Sequence, residues 1–313
     1  MSGQPDGGAA IERVEYDEFG LFADNASEFG LPYDGPPTVR REFVAVDADR
    51  RLSALVWGTE LPELVFLHGG AQNAHTWDTV ALALGRPLVC IDLPGHGHSD
   101  GGKHGQLGLA DNAADVAVVV RALAPDAKAV IGMSLGGMTT IALARHAPEL
   151  VRTMVLVDIT PGVTAEKAKA ITDFVNGPAS FPSFQELLAR TMEHNPTRSE
   201  ASLRRGILHN AEQREDGSWV WRYARHRELG AHAEQPERPV TDRSDLWDVI
   251  GGLTVPLLLV RGMRPQSVVD DSDEAELLRV LPSATVVHVE EAGHSVQGDT
   301  PLELARIIDE FVA

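Results

Sequence analysis

The stretch Ala129-Val-Ile-Gly132-Met133-Ser134-Leu135-Gly136-Gly137-Met138 restricts this chain more than any other. A continuously apolar run leads into a serine with glycines two residues before and two after, and helical spacing follows. This is G-x-S-x-G in a strand–turn–helix context. Such a turn strains the serine backbone, and the glycines remove Cβ atoms that would strike the neighbouring strand and helix. The hydroxyl is then presented at a helix N-terminus, whose partial positive charge favours a developing anion. Small-residue turns are common, so the pattern alone is moderately specific. The apolar run before it and the helix after it make Ser134 a candidate nucleophile.

The flanking pattern sets the architecture. Strands are expected at Glu42–Asp47, Leu52–Gly58, Leu64–Leu67, Leu88–Asp92, Ala129–Gly132, Thr153–Asp158, Leu257–Val260 and Thr285–Val289. The later ones are short, apolar throughout and rich in Val, Ile and Leu, as strands buried on both faces of a parallel sheet are. Helical spacing fills Leu109–Ala124, Ser134–Ala147 and Pro301–Val312. The first two strands, joined by Ala48-Asp49-Arg50-Arg51, read as a hairpin, so the sheet is mixed. Strands alternating with helices predict a doubly wound α/β architecture. Residues 1–37 form a polar lead-in with a short helix near Tyr16–Phe29, and the core occupies 38–161 and 241–313. The interval 162–240 breaks the alternation; it is too long for a loop and reads as an inserted, mainly helical cap.

The net charge of −19 disfavours nucleic acid and anionic membrane surfaces as partners. The single cysteine, Cys90, has no partner for a disulfide and reads as a small hydrophobe on a strand. No apolar run approaches the ~20 residues of a membrane span, and the N-terminus lacks a signal-peptide pattern. A soluble, cytoplasmic protein is expected. Histidine, Asp and Glu show no metal-ligand spacing and no Gly-rich phosphate loop is present, so neither metal nor cofactor is expected.

A serine attacking a carbonyl needs backbone N–H donors aimed at the oxyanion, each worth about 3–4 kcal/mol in the transition state. Leu64-Val-Phe-Leu-His68-Gly69-Gly70 ends a buried strand in a His-Gly-Gly turn, which nominates the N–H groups of Gly70 and Leu135. With Asp92-Leu-Pro-Gly-His-Gly-His-Ser99, the elbow Gly132–Gly137 and Ala292-Gly293-His294, these residues resemble the α/β-hydrolase family. Gly70-Ala-Gln-Asn-Ala-His-Thr-Trp-Asp78, Val157-Asp-Ile-Thr-Pro161 and Gly217-Ser-Trp-Val-Trp-Arg-Tyr223 are similar to mycobacterial-type serine esterases of that fold. The resemblance implies hydrolysis of short- to medium-chain carboxylic esters, small-molecule substrates, without a cofactor.

His294 follows the last expected strand, and the chain order Ser…acid…His selects it as the base that takes the serine proton. His68 is expected to bond loop backbone, His96 and His98 to shape the Pro-Gly turn, and His194, His209, His226 and His232 to be surface residues of the cap. The acid departs from the common pattern. In most relatives it stands three residues after the glycine that ends the strand following the cap, and here that position is Pro265. Asp158, at the tip of the strand after the nucleophile helix, is the candidate, since a charge directly after four apolar residues is costly to leave unpaired. Asp270 and Asp271 are the rivals, but Asp271-Ser-Asp-Glu274 reads as a capping box; Asp92 precedes the serine and reads as structural. Trp219 and Trp221 alternate in the strand-like patch Ser218–Tyr223 and should share one face of a cap strand, where they either wall an acyl pocket or pack within the cap; Trp77, on the loop after Gly70, carries the same two readings. The same triad also serves C–C bond or thioester hydrolysis, and a non-catalytic ligand-binding protein of this fold is the alternative outside enzymes.

Overall fold

The computed structural model describes residues 13–101, 108–223 and 244–313. Helix α1 (Phe22–Phe29) precedes the hairpin of β1 (Val39–Ala45) and β2 (Arg51–Trp57). Then come β3 (Leu64–Leu67), a 3-10 turn (Ala74–Trp77), α2 (Asp78–Leu84), β4 (Leu88–Ile91), α3 (Leu109–Leu123), β5 (Ala129–Met133), α4 (Leu135–His146) and β6 (Met154–Val157). An insertion carries α5 (Lys169–Val175), β7 (Ser180–Phe181), α6 (Phe184–His194), α7 (Glu200–Asn210), β8 (Ala211–Gln213) and β9 (Trp219–Trp221). The chain ends with α8 (Ser244–Gly251), β10 (Leu257–Gly262), α9 (Asp271–Val280), β11 (Thr285–Val289), α10 (Val296–Asp299) and α11 (Pro301–Val312).

Eight strands form one sheet in the order β1-β2-β4-β3-β5-β6-β10-β11, parallel from β4 to β11, with β1 and β2 antiparallel at one edge. Alternate side chains enter two separate apolar layers. Val65, Leu67, Leu156 and Leu259 meet α3, α4, α8 and α9, while Leu64, Phe66, Val157 and Val260 meet α1, α2 and α11. Both faces being covered, every residue of β3, β4, β5 and β6 is buried, which is why these strands read as unbroken apolar runs. The expected strands thus form, mostly to within a residue or two. β1 begins at Val39 rather than Glu42, because Val39–Arg41 continue the ladder opposite Leu55–Trp57. The N-terminal helix is shorter than expected and stops at Gly30, whose φ of 66° supplies the left-handed C-cap.

The insertion, expected to be mainly helical with a strand-like patch at Ser218–Tyr223, contains both kinds of element. Its helices pack on a three-stranded antiparallel sheet, β7-β9-β8, around Phe181, Leu187, Leu203, Ile207, Trp219 and Trp221. The boundary expected at residue 240 lies outside the described residues. Among the described residues no helix is long and apolar enough to cross a membrane.

Candidate active site

Ser134 stands between β5 and α4 with φ 50° and ψ −116°. The flanking glycines are sterically required. A Cβ on Gly132 would lie 2.5 Å from the carbonyl carbon of Gly136, and one on Gly136 would lie 2.1 Å from the Leu67 carbonyl oxygen. Among the described residues the non-glycine positions with positive φ are Ala71, Ser134 and Asp158, which follow β3, β5 and β6 respectively. Strain of about 1–3 kcal/mol per such residue is collected at one edge of the sheet, as at functional sites generally.

Topology explains why that edge. From β3 the chain crosses to β4 on one side, whereas β5 pairs with β3 on the other, so the crossover direction reverses between β3 and β5. Ligand crevices of open α/β sheets form outside the strand C-termini at such a point. The His68-Gly69-Gly70 turn leaves β3 here; a Cβ on Gly69 would lie 3.3 Å from the Ser134 Cβ. His68 holds the turn: Nδ1–H donates to the Gly69 carbonyl at 2.7 Å and Nε2 accepts from the Leu93 N–H at 2.9 Å. Burial pushes its pKa down, consistent with this neutral tautomer.

The acid and base candidates meet. Asp158 Oδ2 accepts from His294 Nδ1–H at 2.9 Å, and both residues are buried. The carboxylate is held on its other sides by the Gly262 N–H (3.0 Å), the Val268 N–H (3.0 Å) and the Ser267 hydroxyl (2.6 Å). The segment around Pro265 therefore supplies donors to a carboxylate on the adjacent strand instead of supplying the carboxylate itself. The Met263 and Arg264 N–H groups donate to the Val289 and Ala292 carbonyls at 3.0 and 2.9 Å and fasten the loop that carries His294. His294 Nε2 is buried and has no hydrogen-bond partner among the described residues.

A cavity of about 300 Å³ joins these groups: Gly70, Ser134, Leu135 and His294 line it. Its remaining wall is largely apolar, with Met138, Ile159, Val163, Ile171, Val175 and Val268 among the contributors. Half of these come from or adjoin the insertion. The site therefore offers a hydroxyl, an imidazole aimed by a carboxylate, amide groups at a helix N-terminus and an oily chamber.

Comparison with known proteins agrees with this layout. Residues 62–301 match the family model described as alpha/beta hydrolase fold. The chain is 44% identical over 306 residues to the esterase Rv0045c of Mycobacterium tuberculosis, covering 95% of this chain and 96% of that protein. The chain belongs to the α/β-hydrolase family. A structure of that esterase, described for its transition metal inhibition, matches with a TM-score of 0.81 and 42% identity over 96% of this chain and 99% of the other. The 2-(acetamidomethylene)succinate hydrolase of Mesorhizobium japonicum is 28% identical over 254 residues, 80% of this chain and 88% of that hydrolase.

Other sequence candidates fall elsewhere in this hydrolase. Asp270 is the N-cap of α9, and the capping box is formed by Asp270 and Asp273, one residue earlier than expected; Asp271 pairs with Arg261 at 2.8 Å on the surface. Asp92 accepts from the Ala74 and His98 N–H groups and pairs with Arg41 at 2.8 Å. Trp77 is no pocket wall: it is fully buried against Phe66 in the sheet's core. Trp219 and Trp221 pack on Phe184 and Phe181 inside the insertion, outside the Ser134 cavity; Trp221 lines a second cavity instead. His226 and His232 lie outside the described residues.

The sequence also hides a second polar cluster. His209, expected at the surface, is buried, and its ring stacks on that of His75 with centroids 3.8 Å apart. His75 Nδ1 bonds Asp78 Oδ2 at 2.9 Å, and its Nε2 bonds Glu18 at 3.1 Å. Burial alone would lower the His75 pKa, but Asp78 and Glu18 hold it up at about 9. Nothing marks this grouping in the sequence, because His209 is 131 residues from Asp78 and only the seating of α7 on the core brings them together.

Proposed function

We propose that this protein is a carboxylic-ester hydrolase working through Ser134, His294 and Asp158. The observation that carries the reading is the buried Asp158–His294 hydrogen bond of 2.9 Å, whose unpartnered Nε2 shares an apolar cavity with Ser134. The family membership and the relation to an esterase support the same class of reaction.

In this mechanism His294 Nε2 takes the Ser134 proton as the hydroxyl oxygen attacks the ester carbonyl carbon. The oxyanion is held by the Gly70 and Leu135 N–H groups, donors that need no reorganisation when charge develops. Asp158 keeps the proton of His294 on Nδ1, leaving Nε2 as the lone pair, and stabilises the imidazolium. The three donors on Asp158 hold the carboxylate in place. The imidazolium then protonates the departing alkoxide, and a water deprotonated by His294 releases the acid and restores Ser134.

The described part of the insertion acts as a cap, with α5 closing the acyl side of the chamber. Ile171 and Val175 of α5, with Met138 and Val268, suit short to medium acyl chains. The deciding experiment is labelling with a fluorophosphonate alongside a p-nitrophenyl ester series of increasing acyl length. Labelling and turnover should be present in the wild type and absent in Ser134→Ala; a wild type that neither labels nor turns over any ester sinks the proposal.

A further inference from the structure

We propose that His75, Asp78 and His209 form a binding site for one divalent transition cation of the zinc type, which ties the cap helix α7 to the start of α2. The three residues place ligand atoms within 4.8 Å of one another, all buried. Zn–N and Zn–O bonds of about 2.0–2.2 Å put tetrahedral ligand atoms about 3.3–3.5 Å apart. The distances here bracket that spacing: Asp78 Oδ2 lies 2.9 Å from His75 Nδ1 and 3.7 Å from His209 Nε2.

Two atoms argue for a ligand rather than a finished network. His209 Nε2 and Asp78 Oδ1 are both buried and have no hydrogen-bond partner among the described residues. Leaving such groups unsatisfied is costly, and a cation would use both. His209 Nδ1 bonds the Tyr16 hydroxyl at 2.8 Å, and His75 Nε2 bonds Glu18. Those outer contacts leave the opposite nitrogen of each ring toward the site, the arrangement that orients metal-bound histidines. Imidazole and carboxylate suit zinc, copper or nickel better than calcium or magnesium. A cavity of about 150 Å³, lined by all three residues, has room for a water in the fourth position.

The charges facing the site are Glu18 and Asp78 against Arg41, whose Nη2 is 3.4 Å from His75 Nε2 and which is itself paired with Asp92 and Glu18, and Arg198 and Arg205 of the same cavity, of which Arg205 is paired with Glu28. Loading the ion displaces the proton on His75 Nδ1 to solvent and tilts the stacked rings apart, so that each directs a lone pair at the ion. Asn210, next to His209, donates to the Ala71 carbonyl at 2.6 Å, and Asn73 donates to the His209 carbonyl at 3.2 Å. An occupied site therefore fixes the cap against the loop that carries Gly70.

The test is titration of Zn²⁺ into chelator-treated protein, read by calorimetry and by thermal melting, in the Ser134→Ala background so that activity plays no part. One ion per chain should bind and raise Tm by roughly 2–4 °C. His75→Gln and His209→Gln should each weaken binding at least about tenfold. His294→Gln should bind as tightly as its parent, which separates this site from the catalytic imidazole. Should a histidine variant fail to fold, Asp78→Asn, which keeps size and the bond to His75, carries the same expectation. Absence of saturable uptake, uptake unchanged in the ligand variants, or uptake lost in His294→Gln overturns the assignment.

Discussion

Among the described residues the hydrolase buries two histidine–aspartate pairs of the same length, and they differ in everything around them. Asp158–His294 and Asp78–His75 both span 2.9 Å. In the first, the far nitrogen of the ring has no partner among the described residues, and the surrounding cavity is mostly apolar, with Ser134, His96, Thr172 and Tyr223 as its other polar side chains. In the second, the far nitrogen is taken by Glu18, an arginine stands beside it, and another imidazole covers its face. A buried pair thus becomes a candidate catalytic dyad through what its second nitrogen is left free to do. A strained serine shares the cavity at one site, whereas at the other the ring of His75 is held between Asp78 and Glu18.

Ser134→Ala breaks the comparison most severely. It should lower kcat by about 10⁴–10⁶ and abolish fluorophosphonate labelling, with the melting temperature little changed. Asp158→Asn follows: an amide can donate to His294 Nδ1 and so selects the wrong tautomer, for an expected loss of about 10³–10⁴ in kcat. Steady-state kinetics on one p-nitrophenyl ester checks both. A loss under tenfold for Asp158→Asn removes Asp158 from the triad.

What the sequence reveals follows from how local each signal is. The central strands β3–β6 were legible because every one of their residues is buried, and Ser134, Gly70 and Leu135 because a turn needs its glycines within a few positions. His294 and Asp158 required chain order and the absence of a carboxylate at Pro265, which is weaker information; their hydrogen bond is visible only in three dimensions. Of the two readings open for the tryptophans, pocket wall and packing, packing holds for a physical reason. Alternation correctly puts Trp219 and Trp221 on one face of a strand, but that face closes the insertion's own core. His209 misled, since α7 has many polar residues and its burial depends on docking against the 3-10 turn at Ala74–Trp77. Tertiary seating, unlike periodicity, leaves no mark in a window of sequence.

The second pair can be weakened separately. Glu18→Gln removes the carboxylate charge that faces His75 Nε2 and Arg41, and should cost about 1.5–3 kcal/mol of stability, the range for a hydrogen bond to a charged group. Urea unfolding reads this as a lower midpoint at unchanged slope. If the two pairs are as independent as their surroundings suggest, kcat should stay within about threefold, far below the effect of a lost triad member. A fall of a hundredfold would mean the clusters are coupled through the Gly70 loop, whose carbonyl at Ala71 is held by Asn210.

The smallest effect belongs to the rival acid. Asp270 caps α9 by accepting from the Ser272 and Asp273 N–H groups and is paired with Lys167 at 2.7 Å at the surface. Asp270→Ala should cost about 1 kcal/mol, the usual loss for an N-cap, and lower Tm by roughly 2–3 °C. Its kcat should match the wild type within about twofold, because nothing it holds reaches His294. The Asp158 carboxylate already occupies His294 Nδ1 and sits fully buried under three donors of its own. For Asp270 to act on that imidazole, it would have to abandon the cap and displace a better-satisfied carboxylate, so a large kinetic effect in this variant would count directly against the arrangement at Ser134.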